Sequence, residues 1–391
     1  VDVPALAPGD LEEPGLETIN ELGMIALPQN AASSVLQPGS TLQLATTDIH
    51  RILGSQGSIL RLLEMNDLSD VHKIIGSGTF GEVRRGKLRL PDGHFEHVAV
   101  KMPRQHASIS DEYRAKLHRE EASILARLSL PGCTPHPFVV TILAFCPELC
   151  GIVMELCHCN LRQFMHREGP SAACQLELMQ QASSGCAWIA AKGYVHRDLK
   201  MTNILICDVA QQFQKWIAKV GDLGLASLKL EAGCQGVCGT EGYIAPEVHT
   251  YLDYSEASDV YSFGQVMLRT FCSRGHLSLD LHAACLDKHR IAELIGQDWQ
   301  KTEQWQDVGV CMESASCVAG ALNERAHQRP AFETITRLME RLKARVDHHN
   351  LELRGERRGE MREPRGLRGE RREEMQEPMT VMGMAGLSLA G

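Results

Sequence analysis

The chain has 391 residues, of which 43% are hydrophobic and 23% are charged, a composition typical of globular proteins. Its formal net charge of −9 argues against a protein that binds nucleic acid or an anionic membrane through a broad basic surface. The 14 cysteines follow no framework typical of small secreted domains, so we expect mostly reduced thiols. No apolar run is long enough to predict a membrane-spanning helix. We expect a cytoplasmic protein, with a membrane anchor upstream of Val1 left open.

Two cysteine clusters contain residue types that bind zinc. These are Cys146 with Cys150, and the run Cys157-His158-Cys159. No second ligand pair follows either cluster at the spacing of a zinc finger. We therefore expect thiols without a metal at both places.

The two ends of the chain contain little that could form a core. Residues 1–66 are rich in Pro, Gly, Ala and Ser, which predicts a flexible lead-in with one short amphipathic helix at 48–65. At the other end, LRGERRGEMREPRG (353–366) is followed at once by LRGERREEMQEPMT (367–380). This repeat has mixed charge and little apolar surface. We expect a disordered, solvated tail or a frayed helix over 347–391, with a docking role as the alternative.

The segment between the ends, 67–346, begins with strand patterns. VHKIIGSG, GEVRRGKLRL and EHVAVKM are short, β-branched runs, with a turn at Pro91-Asp92-Gly93. A helical pattern, SDEYRAKLHREEASILARL, separates them from the strand patterns VVTILAF and GIVMEL. After Asn160 the pattern is mainly helical. This order predicts an α+β fold with a strand-rich first lobe, a helix-rich second lobe and a cleft where they join.

The first glycine-rich stretch, GSGTFGEV (76–83), lies between two strand patterns. A dinucleotide-binding turn would instead have a strand before the glycines and a helix after them. The pattern therefore favours a β-hairpin whose tip covers phosphate groups, because glycine lets the backbone approach phosphate oxygens and offer N–H donors. Phe80 at the tip would shield the site from water.

Lys101 lies in the apolar strand pattern VAVKM. A lysine in such a run needs an anionic partner, because its charge is costly to remove from water. Glu121 is the first candidate and Glu120 the second. An ordinary structural ion pair and a pair that directs the lysine toward the α- and β-phosphates of a nucleotide both remain open.

The segment YVHRDLKMTNILI places three polar side chains close together, and a fourth follows in VGDLG. Transfer of a phosphoryl group needs metal ligands, for which Asn203 and Asp222 offer an amide oxygen and a carboxylate. It also needs a carboxylate that takes the proton of the acceptor hydroxyl, here Asp198. A cation beside the transferred group, Lys200, would stabilise the developing charge.

Five motifs in order, GSGTFGEV, VAVK, HRDLKMTN, DLG and APE, make the chain resemble a eukaryotic protein kinase over 67–346. The resemblance implies a bilobal kinase fold with an N-lobe at 67–154, a hinge at 155–160 and a C-lobe at 161–346. It also implies the cofactors ATP and Mg²⁺, with Asp198 as catalytic base and Asn203 and Asp222 as magnesium ligands.

The resemblance also assigns residues around the nucleotide. The catalytic set would be Asp198, Lys200, Asn203, Asp222, Lys101 and Glu121. The ATP-binding set would be Ile75, Gly76, Ser77, Gly78, Thr79, Phe80, Gly81, Val83, Ala99, Lys101, Met154, Glu155, Cys157 and Leu205, with Met154 as gatekeeper and the residues from Glu155 to Cys157 as the hinge strand.

Further residues resemble the family's structural braces. Asp259 would brace the catalytic loop, and Arg329 would pair with Glu247 of the APE motif. A stacked apolar column joining the lobes would contain His196, Leu223, Leu125 and a residue near Leu143. Leu223 stands where the family commonly has Phe, and it should fill the same space.

The loop around the base favours serine and threonine as acceptors. Lys200, together with Thr240 in GTEGYIAPE, resembles Ser/Thr kinases, and RPAF and DVYSFG resemble their tyrosine-kinase-like branch. The predicted function is a Ser/Thr protein kinase in signal transduction that acts on protein substrates, with a regulatory partner possible. A nucleotide-binding scaffold without phosphoryl transfer is the main alternative, and a small-molecule or lipid kinase is disfavoured by the APE pattern.

The segment between DLG and APE carries few hydroxyls. In many family members the residue matching Arg197 grips an activation-loop phosphate, but the usual phosphorylated position falls here on Gly236. Only Ser227, Thr240 and Tyr243 have a hydroxyl, and Thr240 is expected in the active site. We predict that the usual phosphorylation does not operate, so that phosphorylation of Ser227 or a partner would substitute for it, if the loop needs setting at all.

Overall fold

The structure is a computed structural model that describes residues 61–78, 81–103, 121–122, 124, 128, 136–208, 216–228, 236–272, 287–300 and 307–360. The chain divides into two units, Val1–Asp347 and His348–Gly391. Within the described part, none of the helices combines the length and the apolar character needed to cross a membrane.

The first lobe of unit Val1–Asp347 is built on a six-stranded sheet of order β1-β5-β6-β4-β3-β2. Its strands are β1 (Arg61–Leu62), β2 (Leu68–Ser77), β3 (Gly81–Arg89), β4 (Phe95–Pro103), β5 (Ile142–Cys146) and β6 (Gly151–Glu155). The strand patterns of the sequence correspond to β2 to β6. The chain turns between β3 and β4 at Gly93, whose φ of 86° is readily adopted by glycine.

Side chains along β4 point alternately into the core of the first lobe and toward the cleft. Val98 and Val100 are fully buried in a small core with residues of β3, β5 and β6. Ala99 and Lys101, which lie between and beyond them, line the cleft on the other face. The strand thus holds Lys101 at the cleft while its valines anchor the sheet.

The start of the first lobe differs from the sequence prediction. β1 pairs in parallel with β5, with Arg61 opposite Ala144, and Leu63 is only 2% exposed. The predicted helix at 48–65 is therefore wrong over its described end, where residues form a strand and then the beginning of a 3₁₀ helix at Met65–Asp67. The ordered lobe begins before residue 67, because strand pairing with β5 outweighs the local helical periodicity. Residues 48–60 lie outside the described residues.

The helical pattern before β5 is described at four positions, Glu121, Ala122, Ile124 and Leu128, and all four are helical. Ala122 and Leu128 are buried in the main core. Leu125, predicted for the apolar column, lies outside the described residues.

The second lobe is mainly helical, as the sequence predicted. Its helices are α1 (Leu161–Glu168), α2 (Ala172–Ala191), α3 (Pro246–Tyr251), α4 (Glu256–Phe271), α5 (Lys288–Gln300), α6 (Val308–Ala321) and α7 (Phe332–Glu360). Asn160 caps α1 by accepting a hydrogen bond from the backbone N–H of Gln163, and Ser171 caps α2 in the same way at Cys174.

Short strands carry the loops of the site between these helices. They are β7 (Cys159–Asn160), β8 (Tyr194–Val195), β9 (Ile204–Asp208), β10 (Trp216–Val220) and β11 (Ser227–Leu228). β10, β9 and β7 form one sheet, and β11 pairs with β8. The β9–β10 pair confirms the hairpin predicted before Asp222, with Val220 opposite Ile204. α2 packs on β10, and the Cβ-free backbone of Gly185 comes close to the backbone of Phe138.

The boundary predicted at residue 346 does not end the last helix. α7 runs as one helix from Phe332 to Glu360, so the predicted tail is helical in its first part, including the first eight residues of the charged repeat (353–360). Within unit Val1–Asp347, the helix buries residues at spacings of three and four: Phe332, Ile335, Met339, Leu342 and Val346. Residues 361–391 lie outside the described residues.

Candidate active site

A buried carboxylate from α4 fixes the loop after β8. Asp259 accepts hydrogen bonds from the backbone N–H groups of His196 (2.6 Å) and Arg197 (2.9 Å). Arg197 has a φ of 65°, an unfavourable conformation for a residue with a side chain, and the two bonds hold it there. Burial raises the pKa of Asp259, against the lowering effect of His196 and of these bonds. Asp259 therefore occupies the bracing position predicted for it.

Four predicted side chains meet immediately after this turn. Lys200 Nζ lies 2.7 Å from Asp198 Oδ2 and 2.8 Å from Thr240 Oγ1. Thr240 Oγ1 donates to Asp198 Oδ1 at 2.6 Å. Asn203 Nδ2 donates to the backbone oxygen of Asp198 at 2.9 Å and to its Oδ2 at 3.1 Å. Both oxygens of the Asp198 carboxylate thus have fixed donors, which orients the group.

Lys101 binds two carboxylates that come from opposite lobes. Its Nζ lies 2.7 Å from both oxygens of Glu121 and 2.6 Å from Asp222 Oδ1. Burial alone would lower the pKa of Lys101, but Asp222 and Glu121 outweigh it and raise that pKa. Burial would raise the pKa of Asp222, yet Lys101 outweighs burial and lowers it. Lys101 and Asp222 are therefore both charged near neutral pH.

The pKa of Glu121 shifts in the direction opposite to that of Asp222. Burial raises the pKa of Glu121, the charge of Asp222 adds to the rise, and Lys101 only partly opposes these effects. The side chain of Asp222 keeps 44% of its surface exposed. A Cβ atom on Gly224 would lie 3.2 Å from Glu121 Oε2, so glycine at this position leaves room for the ion pair.

Hydrogen bonds join the loop of Asp222 to the loop of Asp198. His196 Nε2 lies 3.1 Å from the backbone oxygen of Gly221, and the Gly221 N–H donates to the backbone oxygen of Asn203. Asp222 itself has a φ of 59°. These contacts fix the two acidic side chains relative to one another.

A cavity of about 690 Å³ lies between the sheet of the first lobe and the loops of the second. It brings together all the described residues that the sequence predicted for nucleotide binding and catalysis, namely Ile75, Gly76, Ser77, Gly78, Gly81, Val83, Ala99, Lys101, Glu121, Met154, Glu155, Cys157, Asp198, Lys200, Asn203, Leu205 and Asp222. Thr79 and Phe80 lie outside the described residues. The glycine-rich stretch forms the predicted hairpin, with the Gly78 N–H donating to the Gly81 carbonyl at 2.8 Å.

The residues that line the cavity suit a nucleoside triphosphate with a divalent cation. Asn203 uses its amide nitrogen for Asp198, and Asp222 uses Oδ1 for Lys101. Within the described part of the chain, no hydrogen bond occupies Asn203 Oδ1 or Asp222 Oδ2, and oxygens of these kinds are the ligands that Mg²⁺ prefers. Val83, Ala99 and Leu205 add apolar wall to the cavity.

Sequence reasoning missed Val140, and it missed the contacts of Glu155, a residue that it had placed in the hinge. Val140 lines the cavity and donates its N–H to the Val220 carbonyl, and Glu155 Oε1 accepts from the Thr141 N–H at 2.6 Å and from Lys219 Nζ at 2.8 Å. These residues meet only through the packing of distant strands. No local motif indicates such contacts.

Ile142 suits the place in the apolar column that was predicted for a residue near Leu143. Ile142 is buried in the same core cluster as Leu223, whereas Leu143 packs against the core on the other face of the sheet. Neighbouring strand residues point to opposite faces, so a shift of one residue changes the assignment. Leu223 is fully buried, which shows that leucine fills the space predicted for it.

The predicted brace behind the APE motif is present. Arg329 makes two hydrogen bonds to Glu247, Nη1 to Oε1 at 2.6 Å and Nη2 to Oε2 at 2.8 Å, and it also donates to the Ala257 carbonyl. This bidentate pair is buried and geometrically specific. It anchors the end of the segment that follows Asp222.

Ser227 is a poor site for phosphorylation in this conformation. It lies in β11 opposite Val195, is 7% exposed, and its Oγ lies 3.4 Å from the Leu228 carbonyl. The hydroxyl would have to leave this strand to reach another kinase. The alternative that phosphorylated Ser227 sets the loop is therefore disfavoured.

The cysteine clusters show thiol contacts. No group of three or more His, Cys, Asp or Glu residues in the described ranges is placed to hold a metal ion. Cys157 faces Cys207 of β9, and the ring of His158 packs beside Trp216, with the ring centres 5.5 Å apart.

Comparison with known proteins agrees with this geometry. A family model described as protein tyrosine and serine/threonine kinase matches residues 69–339, more than half of the chain. The chain is 30% identical over 222 residues to the receptor-like protein kinase FERONIA of Arabidopsis thaliana, covering 54% of this chain and 23% of that protein. It is 33% identical over 201 residues to the serine/threonine/tyrosine-protein kinase HT1 of the same plant, covering 49% of this chain and 47% of that protein.

A further relative comes from a different organism. The dual specificity protein kinase shkD of Dictyostelium discoideum is 31% identical over 232 residues, covering 55% of this chain and 28% of that protein. The chain thus spans less than half the length of these three relatives. With a β-sheet first lobe, a helical second lobe and a family match over most of both, the chain belongs to the protein kinase family.

Proposed function

We propose that the protein is an active, Mg-ATP-dependent protein kinase that transfers the γ-phosphoryl group of ATP to serine and threonine hydroxyls of proteins. The observation that carries the proposal is the cluster of Asp198, Lys200, Asn203 and Asp222 at one end of the cleft, with Lys101 reaching it from β4. A nucleotide-binding scaffold could use Lys101, Asn203 and Asp222 to bind Mg-nucleotide, but it would not need Asp198 held between Lys200 and Thr240.

Asp198 is the proposed base. Lys200, Thr240 and Asn203 hold its carboxylate by hydrogen bonds, so the oxygen that receives the acceptor's proton has a fixed position. Lys200 also supplies positive charge beside the group being transferred, which lowers the barrier if that charge is fixed before reaction. ATP with Mg²⁺ would supply the phosphoryl group and neutralise the charge of its oxygens.

Asn203 and Asp222 are the proposed metal ligands, and Lys101 is the proposed contact to the phosphates. The ion pairs of Lys101 with Glu121 and Asp222 keep its ammonium charged and directed at the cleft. The hairpin of Gly76, Gly78 and Gly81 would cover the phosphates with backbone N–H groups. Met154, Glu155 and Cys157 would line the adenine end together with Ala99 and Leu205.

The acceptor class is argued from Thr240. Its hydroxyl binds both Asp198 and Lys200 and occupies space beside the base, which suits a short acceptor side chain better than tyrosine. Two relatives carry names that include tyrosine or dual specificity. The acceptor must therefore be measured on all three hydroxyl residues.

The test is phosphoryl transfer by the purified chain with Mg-ATP on an array of peptides that contain Ser, Thr or Tyr at matched positions. We expect transfer to Ser and Thr peptides, lost in Asp198→Asn, a variant that keeps the shape of the side chain. Nucleotide binding in wild type and variant without transfer in either would refute catalysis and support the scaffold. Transfer to Tyr peptides alone would refute the proposed acceptor class and leave catalysis intact.

A further inference from the structure

Two thiols meet at the edge of the cleft. Cys157 Sγ and Cys207 Sγ are 2.6 Å apart. A disulfide bond has a length of about 2.05 Å, so the sulfurs need to approach by only about half an ångström to reach bonding distance. Cys157 follows β6, and Cys207 lies in β9, some fifty positions later in the chain.

The backbone on both sides of this pair is fixed by sheet hydrogen bonding. Cys159 lies opposite Ile206 and Asn160 opposite Leu205, and the His158 N–H donates to the Ile206 carbonyl at 2.8 Å. The two cysteines are thus held beside each other by their neighbours rather than by chance contact of mobile loops. With the backbone held in this way, we expect bond formation to proceed mainly by rotation of the two side chains.

The two thiols differ in access. Cys157 is partly exposed and lines the cavity, whereas Cys207 is 8% exposed. A small oxidant entering the cleft would therefore meet Cys157 first, with Cys207 behind it. An accessible thiol next to a second, less accessible one is the spatial arrangement in which a sulfenic acid can be resolved to a disulfide.

We propose that Cys157 and Cys207 are a redox modification site that a hydroperoxide converts to a reversible disulfide. The Cys157 thiol gives up its proton, its thiolate attacks one oxygen of hydrogen peroxide and the O–O bond breaks. Cys157 becomes a sulfenic acid, and the hydroxide that leaves takes up the proton and becomes water. The thiolate of Cys207 then attacks that sulfur, the S–O bond breaks, and a second water leaves. Two thiols are oxidised to one disulfide, and one peroxide is reduced to two waters.

The disulfide would tie the segment after β6 to β9. Leu205 of β9 and Cys157 both line the cavity, so the new bond would join two of its walls. Because the sulfurs move so little, we expect the oxidised protein to keep its fold and to unfold at a higher temperature than the reduced protein.

The test uses the reduced full chain, treated with hydrogen peroxide and then with an alkylating agent. The pKa of the Cys157 thiol is raised, first by its hydrogen bond with Cys207 and then by burial, so the peroxide is supplied in excess. Peptide mapping without reductant should find Cys157 linked to Cys207, and dithiothreitol should restore both thiols. Alkylation or over-oxidation of both cysteines without a linked peptide, in protein that remains folded, would overturn the proposal.

Variants identify the partners. Cys157→Ser and Cys207→Ala should each abolish the linked peptide. Cys159→Ser is the matched control, because Cys159 lines the same cavity two residues away, and the link should form in it as in the wild type. A link between Cys157 and Cys159 would overturn the proposal. The wild-type measurement stands by itself if a variant fails to fold.

Nucleotide protection extends the test and depends on the proposed function. If adenine covers Cys157, then ADP with Mg²⁺ at ten times its dissociation constant should slow disulfide formation roughly tenfold, because only about one molecule in eleven is free of nucleotide. Disulfide formation at an unchanged rate would contradict the proposed place of adenine while the redox site stands. Absence of the linked peptide in nucleotide-free protein would contradict the redox site and would leave the kinase proposal untouched.

Discussion

The hydroxyl of Tyr254 lies 2.5 Å from the backbone nitrogen of Cys238 and 2.9 Å from the backbone oxygen of the same residue. Tyr254 stands before α4, and Cys238 lies in the segment between Asp222 and the APE motif. The Arg197 guanidinium packs over the Tyr254 ring at 5.4 Å, and its Nε donates to the Leu225 carbonyl. One tyrosine thus links the loop of the proposed base to the segment that would receive substrate.

We expect Tyr254→Phe to weaken this link. The variant leaves the buried N–H and carbonyl of Cys238 without the hydroxyl, and an unpaired buried backbone group costs about 1–3 kcal/mol. The phosphorylation rate and the unfolding temperature should both fall. Tyr251→Phe is the control, because Tyr251 is 78% exposed, and it should change neither. If the two variants have the same phosphorylation rate and the same unfolding temperature, the Tyr254 hydroxyl does not stabilise this segment.

On the proposed function, protein treated with phosphatase should still phosphorylate peptides. Hydrogen bonds already hold Asp198, Lys200 and Thr240 together, and the segment is joined to the rest of the lobe through Cys238 and Ser227 without a phosphate. The measurement is peptide phosphorylation by protein that mass spectrometry shows to be free of phosphate. The activity of Ser227→Ala should lie within about twofold of wild type, because the Ser227 hydroxyl makes a long, 3.4 Å bond to the Leu228 carbonyl, and loss of such a bond costs about 0.5 kcal/mol. Activity that returns only after phosphate appears on Ser227 would contradict this prediction.

Thr240 should contribute to turnover through its hydroxyl. Thr240→Ala removes hydrogen bonds to a carboxylate and an ammonium, and bonds to charged groups contribute about 1.5–3 kcal/mol. The turnover number should therefore fall by roughly 10- to 100-fold. Thr240→Ser keeps the hydroxyl and should retain most of the activity. A comparable loss in both variants would point to the methyl group rather than the hydrogen bonds.

Sequence patterns predicted which residues lie together in the cleft, because a motif fixes the spacing of its own residues. Asp198, Lys200 and Asn203 lie within six positions, so placing one places the others. The partner of Lys101 was also predictable, because an apolar strand with one lysine requires an anion, and Glu121 supplies it at 2.7 Å. Strand alternation then decides which residues face the cleft.

Contacts between distant segments were not predictable in the same way. β1 forms only because β5 offers an edge for parallel pairing, and its two residues, Arg61 and Leu62, carry no strand pattern of their own. The Tyr254 bond to Cys238 and the Cys157–Cys207 contact each join residues that share no periodicity. Such pairs depend on the assembled fold and on packing that a single sequence does not display.

Gly185 in α2 should resist replacement by alanine. A helical Gly→Ala change normally stabilises by about 1 kcal/mol. Here, however, a Cβ atom would lie 2.4 Å from the Phe138 carbonyl oxygen, and overpacking of this kind costs about 1–3 kcal/mol. Gly185→Ala should therefore lower the unfolding temperature. Gly296→Ala in α5 is the matched control: its nearest neighbour is Cys311 Sγ at 3.9 Å, so that variant should unfold at an equal or higher temperature.

Ser314 and Ser183 both have buried hydroxyls, and the two differ in their hydrogen bonding. Both side chains are 0% exposed, but Ser314 Oγ has no hydrogen-bond partner among the described residues, whereas Ser183 Oγ bonds Thr336 Oγ1 at 2.8 Å and the Gln180 carbonyl at 2.9 Å. Ser314→Ala removes an unpaired polar atom and should raise the free energy of unfolding by about 1 kcal/mol. Ser183→Ala breaks formed bonds and should lower it by a similar amount. Urea unfolding of the two variants and the wild type measures both changes in the free energy of unfolding. A lower free energy of unfolding for Ser314→Ala would contradict the prediction and show that the Ser314 hydroxyl has a hydrogen-bond partner in solution.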